Sequence, residues 1–277
     1  MPWFLRMQLT IFPLILLVQI YIGVGLFSTI KWLFPKQRKM SKIILFCTIF
    51  FLNLFPLLVI FLKFINRIPD LFIFQNQLHI LDFLLIFPYW WGLITAVEIL
   101  PYFVEFDLLL LFAILIRWKY KAILQKFIAW GKILATAVLI VFTGVRIYSD
   151  TYQVRLTQHQ VQIKNLPAAL DGLKLTLVGD VQVDRYTQNS KLEGLEEKLK
   201  QAGSDFLFFS GDLVTSGQSF IDQGLEFLCR QPAVIGRFAC MGDHDYWANP
   251  AKISGGLKNC GWNFLENSHQ LVEYKGR

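Results

Sequence analysis

Three short apolar runs in the second half of the chain each end in Gly-Asp: LTLVGDVQVD at 175–184, FLFFSGDLVTSG at 206–217 and CMGDHDYW at 240–247. Each run is rich in Leu, Val or Phe and bounded by turn residues, the pattern of a strand buried on both faces. One Gly-Asp pair is ordinary turn chemistry. Three at matching positions imply that neighbouring strands all need an acid at the same end.

Helical segments separate the runs. In SKLEGLEEKLKQAG, 190–203, Leu192, Leu195 and Leu199 share one helical face, with Ser190 as N-cap and Gly203 as stop. Further helices are predicted over about 219–230, before a strand at 234–241, and from Asn249-Pro250 to near Gly261. TYQVRLTQHQVQI, 151–163, alternates in polarity and predicts one more strand ahead of these. Strands separated by helices of this length pair in parallel, and their functional groups gather at the carboxyl ends. Asp180, Asp212 and Asp243 all fall there.

The first half is different in kind. The chain is 55% hydrophobic over 277 residues, yet its charge divides unevenly: residues 1–150 hold 14 Lys/Arg against 6 Asp/Glu, and 151–277 hold 13 against 14. The basic excess sits in short connections between apolar spans, which points to lipid headgroups as partner and away from nucleic acid. Between Arg6 and Lys31 lie 24 uncharged residues and between Lys42 and Lys63 another 20, each enough to cross a hydrocarbon core of about 30 Å. A third, kinked span is expected over 83–116 around Pro101, and a fourth over 127–145, with Lys132 snorkelling to the headgroups.

The five basic residues of 31–42 and the four of 117–126 place those loops in the cytoplasm, which puts the N-terminus and the soluble half on the extracytoplasmic side. No small-residue cleavage pattern precedes the first basic loop, so the first span reads as an anchor rather than a signal peptide. Glu98, Glu105 and Asp107 read as an interfacial kink rather than a transport path, because no matching partner recurs in the other spans. The expected architecture is an all-α transmembrane region over 1–149 followed by an α/β domain over 150–277. Cys47, Cys229, Cys240 and Cys260 show no CxxC spacing; a disulfide among the last three is open, and Cys240 looks like a core strand residue.

Three carboxylates at one sheet edge repel each other unless a cation lies among them. Carboxylate oxygens, the amide oxygen of Gln182 and the imidazole of His244 make a mixed O/N donor set suited to Mn, Fe, Mg or Zn. DVQ at 180–182, GD at 211–212 and GDHD at 242–245 together resemble the signature of the calcineurin-like metallophosphoesterases. DGLKLTLVGDVQ and GWNFLENSHQLVEYKG are similar to segments of the family's membrane-associated bacterial branch, so the resemblance covers about 165–277.

The resemblance implies an α/β/β/α sandwich, two divalent metal ions and hydrolysis of a phosphomonoester, phosphodiester or pyrophosphate, with a lipid-linked substrate suggested by the membrane anchor. It also implies roles: Asp212 bridging the metals, Asp180 and Gln182 on the first, Asp243 on the second, His244 acting on the substrate, and Asp245 orienting His244 or its loop.

The pattern departs from the family at two positions. Gln182 stands where the family has His, and Asp243 stands where it has Asn. The family's downstream Gly-His-x-His segment does not occur before Arg277. A chain holding only the first half of the catalytic domain is therefore expected, with one apolar sheet face left open. His79, His159 and His269 match no ligand position. The competing reading is a catalytically inactive membrane module that uses a degenerate site for sensing or partner binding.

Overall fold

The computed structural model describes residues 3–65, 80–187 and 190–274. His79 lies outside them. The described residues divide into two compact units, one of residues up to Thr151 and one from Tyr152 onward.

The first unit is helical. Its elements are α1 (Trp3–Leu33), α2 (Arg38–Leu52), α3 (Leu54–Phe64), α4 (Phe87–Leu115) and α5 (Lys121–Tyr152), the last ending at the unit boundary. Residues Thr10–Leu33 and Lys121–Tyr152 are long and apolar enough to cross a membrane, and α2 with α3 makes a third candidate if the bent pair is one span. The uncharged stretch after Lys42 is thus not one straight helix: it breaks at Asn53 with a bend of 55°. Asn53 is buried and its amide bonds to Gln19 of α1 and to the Ile49 carbonyl. A polar side chain held this way competes with the helical ladder.

α4 runs through Pro101 without a break and carries Glu98, Glu105 and Asp107. Two of these acids have partners on other helices, contrary to the expectation from sequence. Lys132 of α5 is buried and lies 2.5 Å from Asp107, which also accepts from the Tyr21 hydroxyl of α1 at 2.6 Å. Thr143 of α5 donates to Glu98. Lys132 therefore does not snorkel; the desolvation of its ammonium is offset inside the bundle by a carboxylate.

The second unit is a parallel four-stranded sheet in the order β1-β2-β3-β4, with β1 at Leu175–Val178, β2 at Phe206–Phe209, β3 at Gly236–Ala239 and β4 at Asn263–Phe264. The helices are α6 (Ser190–Ala202), α7 (Ile221–Cys229), α8 (Asp243–Ala248) and α9 (Pro250–Asn259). The leucine stripe fixes α6, with Leu192 and Leu199 in the core, and Gly203 closes it at φ +60°. Asn249 caps α9 by accepting from the Lys252 N–H at 3.1 Å.

One sheet face, through Val178, Leu207, Phe209 and Ala239, packs on Phe227, Leu228, Ile253 and Leu257. By register the other face carries Leu175, Leu177 and the clustered rings of Phe206, Phe208 and Phe238. Leu175 and Leu177 there are 62% and 72% exposed.

Three expectations are corrected. Residues 153–163 pair with no strand among the described residues, and Val161 and Ile163 are exposed; the alternation had no sheet edge on which to bury its apolar side. The third strand is shorter than 234–241, because Cys240 to Gly242 already turn into α8. Cys240 is exposed, not core. Cys229 and Cys260 form a disulfide that joins the C-terminal ends of α7 and α9.

Candidate metal centre

The site is built where the chain leaves β1, β2 and β3. Past β1 the backbone keeps pairing with the segment after β2: the Asp180 N–H donates to the Gly211 carbonyl at 3.1 Å and the Gln182 N–H to that of Asp212 at 2.9 Å. Holding both segments in this register requires left-handed backbone at three non-glycine positions, Asp180 (φ +50°), Gln182 (φ +45°) and Asp212 (φ +61°). Such conformations cost about 1–3 kcal/mol each and persist where the surroundings impose them. Gly211, at φ +98°, makes the crossing possible, since a Cβ there would strike the backbone of Met241 and Gly242.

Asp245 locks the β2 and β3 ends together. Its carboxylate is fully buried and accepts from the Asp212 N–H (2.9 Å), the Leu213 N–H (2.8 Å) and the Gly242 N–H (3.1 Å). A buried charge fed by three backbone donors is a satisfied one. Asp212 in turn accepts from the His244 N–H at 3.0 Å.

The His244 Nδ1 lies 2.5 Å from the Thr215 carbonyl oxygen. A carbonyl can only accept, so the proton is assigned to Nδ1, and Nε2 is the ring atom available as a ligand or proton carrier. Thr215 is itself placed by donating its hydroxyl to the Gln182 carbonyl and the Asp184 carboxylate at 3.0 and 2.8 Å.

Asp212, Asp243 and His244 each offer a ligand atom, all within 4.8 Å of one another. Burial, and to a lesser degree the charges of Asp243 and Asp245, pushes the Asp212 carboxyl above its usual range, against the lowering effect of the His244 N–H. A carboxylate so placed is stabilised by a cation. The donor set, two carboxylates and an imidazole on a turn held open by glycine, fits a divalent metal.

Asp180 and Gln182 are outside this trio and face each other, with the Gln182 amide donating to Asp180 at 3.3 Å. His159 and His269 are exposed and make no part of it. The sequence reading missed α8, whose helical spacing was legible in DHDYWA but masked by the turn-like Gly-Asp before it. It also missed Thr215.

Residues 173–275 match the sequence profile of the calcineurin-like phosphoesterases. They form a calcineurin-like metallophosphoesterase domain. Among its distant relatives is a transmembrane protein with metallophosphoesterase domain from Danio rerio, 27% identical over 143 residues, covering 50% of this chain and 32% of the relative. Another is the UDP-2,3-diacylglucosamine pyrophosphatase LpxG of Chlamydia trachomatis, 35% identical over 86 residues, 30% of this chain and 26% of that protein. An uncharacterized metallophosphoesterase of Aquifex aeolicus is 20% identical over 127 residues, covering 46% and 48%. The chain thus spans less than half the length of each of these curated relatives. No solved structure matches it significantly.

Proposed function

We propose that the metallophosphoesterase domain hydrolyses a phosphate ester at the surface of a membrane crossed by the helical unit. The observation that carries this reading is the convergence of Asp212, Asp243 and His244 within 4.8 Å at the strand ends. Asp212, Asp243 and the Nε2 atom of His244 would hold one divalent ion, Mn, Fe, Zn or Mg, and Asp180 with Gln182 would contribute to a second beside Asp212. A bound divalent ion in such a site neutralises phosphate oxygens and lowers the pKa of a coordinated water.

The chain's own residues do the positioning. Asp245 fixes the Asp212 and Gly242 backbone, Asp212 is oriented by the His244 N–H, and Thr215 selects the His244 tautomer. When His244 is not ligating, its Nε2 would take up a proton to make the imidazolium and then donate that proton to the leaving oxygen.

The likeness to a UDP-2,3-diacylglucosamine pyrophosphatase supports a lipid-linked pyrophosphate as substrate class. A four-span topology with the domain extracytoplasmic completes the proposal.

A second reading, a catalytically inactive sensing or partner-binding module, is favoured by one observation: Gln182 spends its amide on Asp180, outside the trio. Manganese-dependent hydrolysis of bis(p-nitrophenyl) phosphate by the full chain separates the two. Hydrolysis abolished by Asp212→Ala and by His244→Ala supports the enzyme. Tight manganese binding without turnover supports the module. Turnover indifferent to both substitutions sinks the assignment of the site.

A further inference from the structure

α8 carries more than Asp243 and His244. Residues three and four apart share a helix face, so Trp247 stands on the face that bears both of them. Its ring centroid is 4.9 Å from that of His244, with the planes 51° apart. The indole nevertheless remains 61% exposed, whereas Trp262, in the core of the same unit, is 3% exposed. Asp245 ties the first turn of α8 to the Asp212 loop, so the helix that carries Trp247 is anchored to the loop that carries Asp212. A large, flat, solvent-exposed ring beside a candidate metal centre offers a surface on which a planar group can stack.

We propose that Trp247 is a substrate-contacting residue that forms one wall of the Asp212, Asp243 and His244 site. It selects phosphate esters whose alcohol carries a planar ring, a nucleoside or an aryl group, by stacking on that ring while the phosphate lies at the cluster. This rests on the phosphoesterase reading above and adds to it a determinant of which ester is accepted. The neighbouring Tyr246 is also exposed but hydrogen-bonds Glu266 at 3.4 Å, so it is not needed for the stack.

The test is a binding comparison on the manganese-loaded full chain in detergent, using uridine 5′-monophosphate and ribose 5-phosphate, which differ by the base. Base-on-aromatic stacking predicts that the nucleotide binds about 10-fold more tightly than the sugar phosphate. Trp247→Ala should reduce that ratio to about 1 while leaving ribose 5-phosphate affinity unchanged, and Trp247→Phe should keep the preference.

A preference that survives Trp247→Ala overturns the proposal, as does an equal loss for both ligands, which would make Trp247 only a support for His244. A wild-type chain that binds both ligands equally overturns the Trp247 role alone. One that binds neither overturns the underlying phosphoesterase reading as well. An unmoved ratio combined with quenching of Trp247 emission by brominated lipid in proteoliposomes, judged against Trp247→Phe, overturns it in favour of an interfacial anchor.

Discussion

At Asp180, Gln182 and Asp212 the backbone is left-handed, and at Asp212 this sets how a substitution should be designed. Asn tolerates the left-handed region and keeps the side-chain shape, so Asp212→Asn removes the charge without the strain. It is expected to leave the melting temperature nearly unchanged and to weaken manganese binding at least tenfold, about 1.4 kcal/mol, by calorimetry. Gly211→Ala does the reverse: the methyl group meets the Met241 and Gly242 backbone, so the α/β unit should lose cooperative unfolding in a thermal melt. Asp245→Ala strands three N–H donors, a buried one at Leu213 and half-buried ones at Asp212 and Gly242. Its cost should be about 3 kcal/mol or more, read as a fall in denaturation midpoint, with weaker metal binding as a consequence. The acids themselves were legible from the repeated Gly-Asp. The work of Asp245 was not, because its partners Asp212 and Leu213 lie far away in sequence and are brought to it only by the register of β1, β2 and β3.

At the scale of elements, the legible parts were those with a clear period or a strong boundary. The leucine stripe and Gly203 delimit α6, and the Asn-Pro pair opens α9. β4 spans two residues, too few for any period to register, and α8 hides behind a Gly-Asp that reads as a turn. In the helical unit the charged side chains were visible but their pairing was not. Asp107, Lys132 and Tyr21 sit on α4, α5 and α1, and only packing brings them together. That pairing makes a prediction about the bundle. Asp107→Ala leaves a buried ammonium without its carboxylate and should cost about 3–5 kcal/mol. Replacing both partners, Asp107→Ala with Lys132→Met, should recover most of that loss, since neither member of the ion pair is left buried alone. Thermal unfolding of the wild type, Asp107→Ala, Lys132→Met and the double variant in one detergent gives the cycle, and additive effects would mean that the two groups do not interact.

At the scale of the whole molecule, two independent features bear on the side proposed for the α/β unit. The basic loops at 31–42 and 117–126 support the proposed orientation, with that unit outside, by charge alone. The Cys229–Cys260 disulfide comes from the other unit, and disulfides persist best in an oxidising compartment. It joins residues 31 apart in sequence and should contribute about 3.7 kcal/mol by restricting the unfolded chain. Arg237 adds to the same junction by donating to the carbonyls of Cys229 and Cys260. The two features meet in one experiment, because Cys240 is an exposed thiol in the same unit. In intact cells carrying the Cys47→Ser chain, a membrane-impermeant maleimide should label one thiol per chain, Cys240. Labelling should rise to three only after denaturation and reduction release Cys229 and Cys260. Protection of Cys240 until the membrane is permeabilised would place the unit in the cytoplasm, and the charge argument and the disulfide would then both have to be explained otherwise.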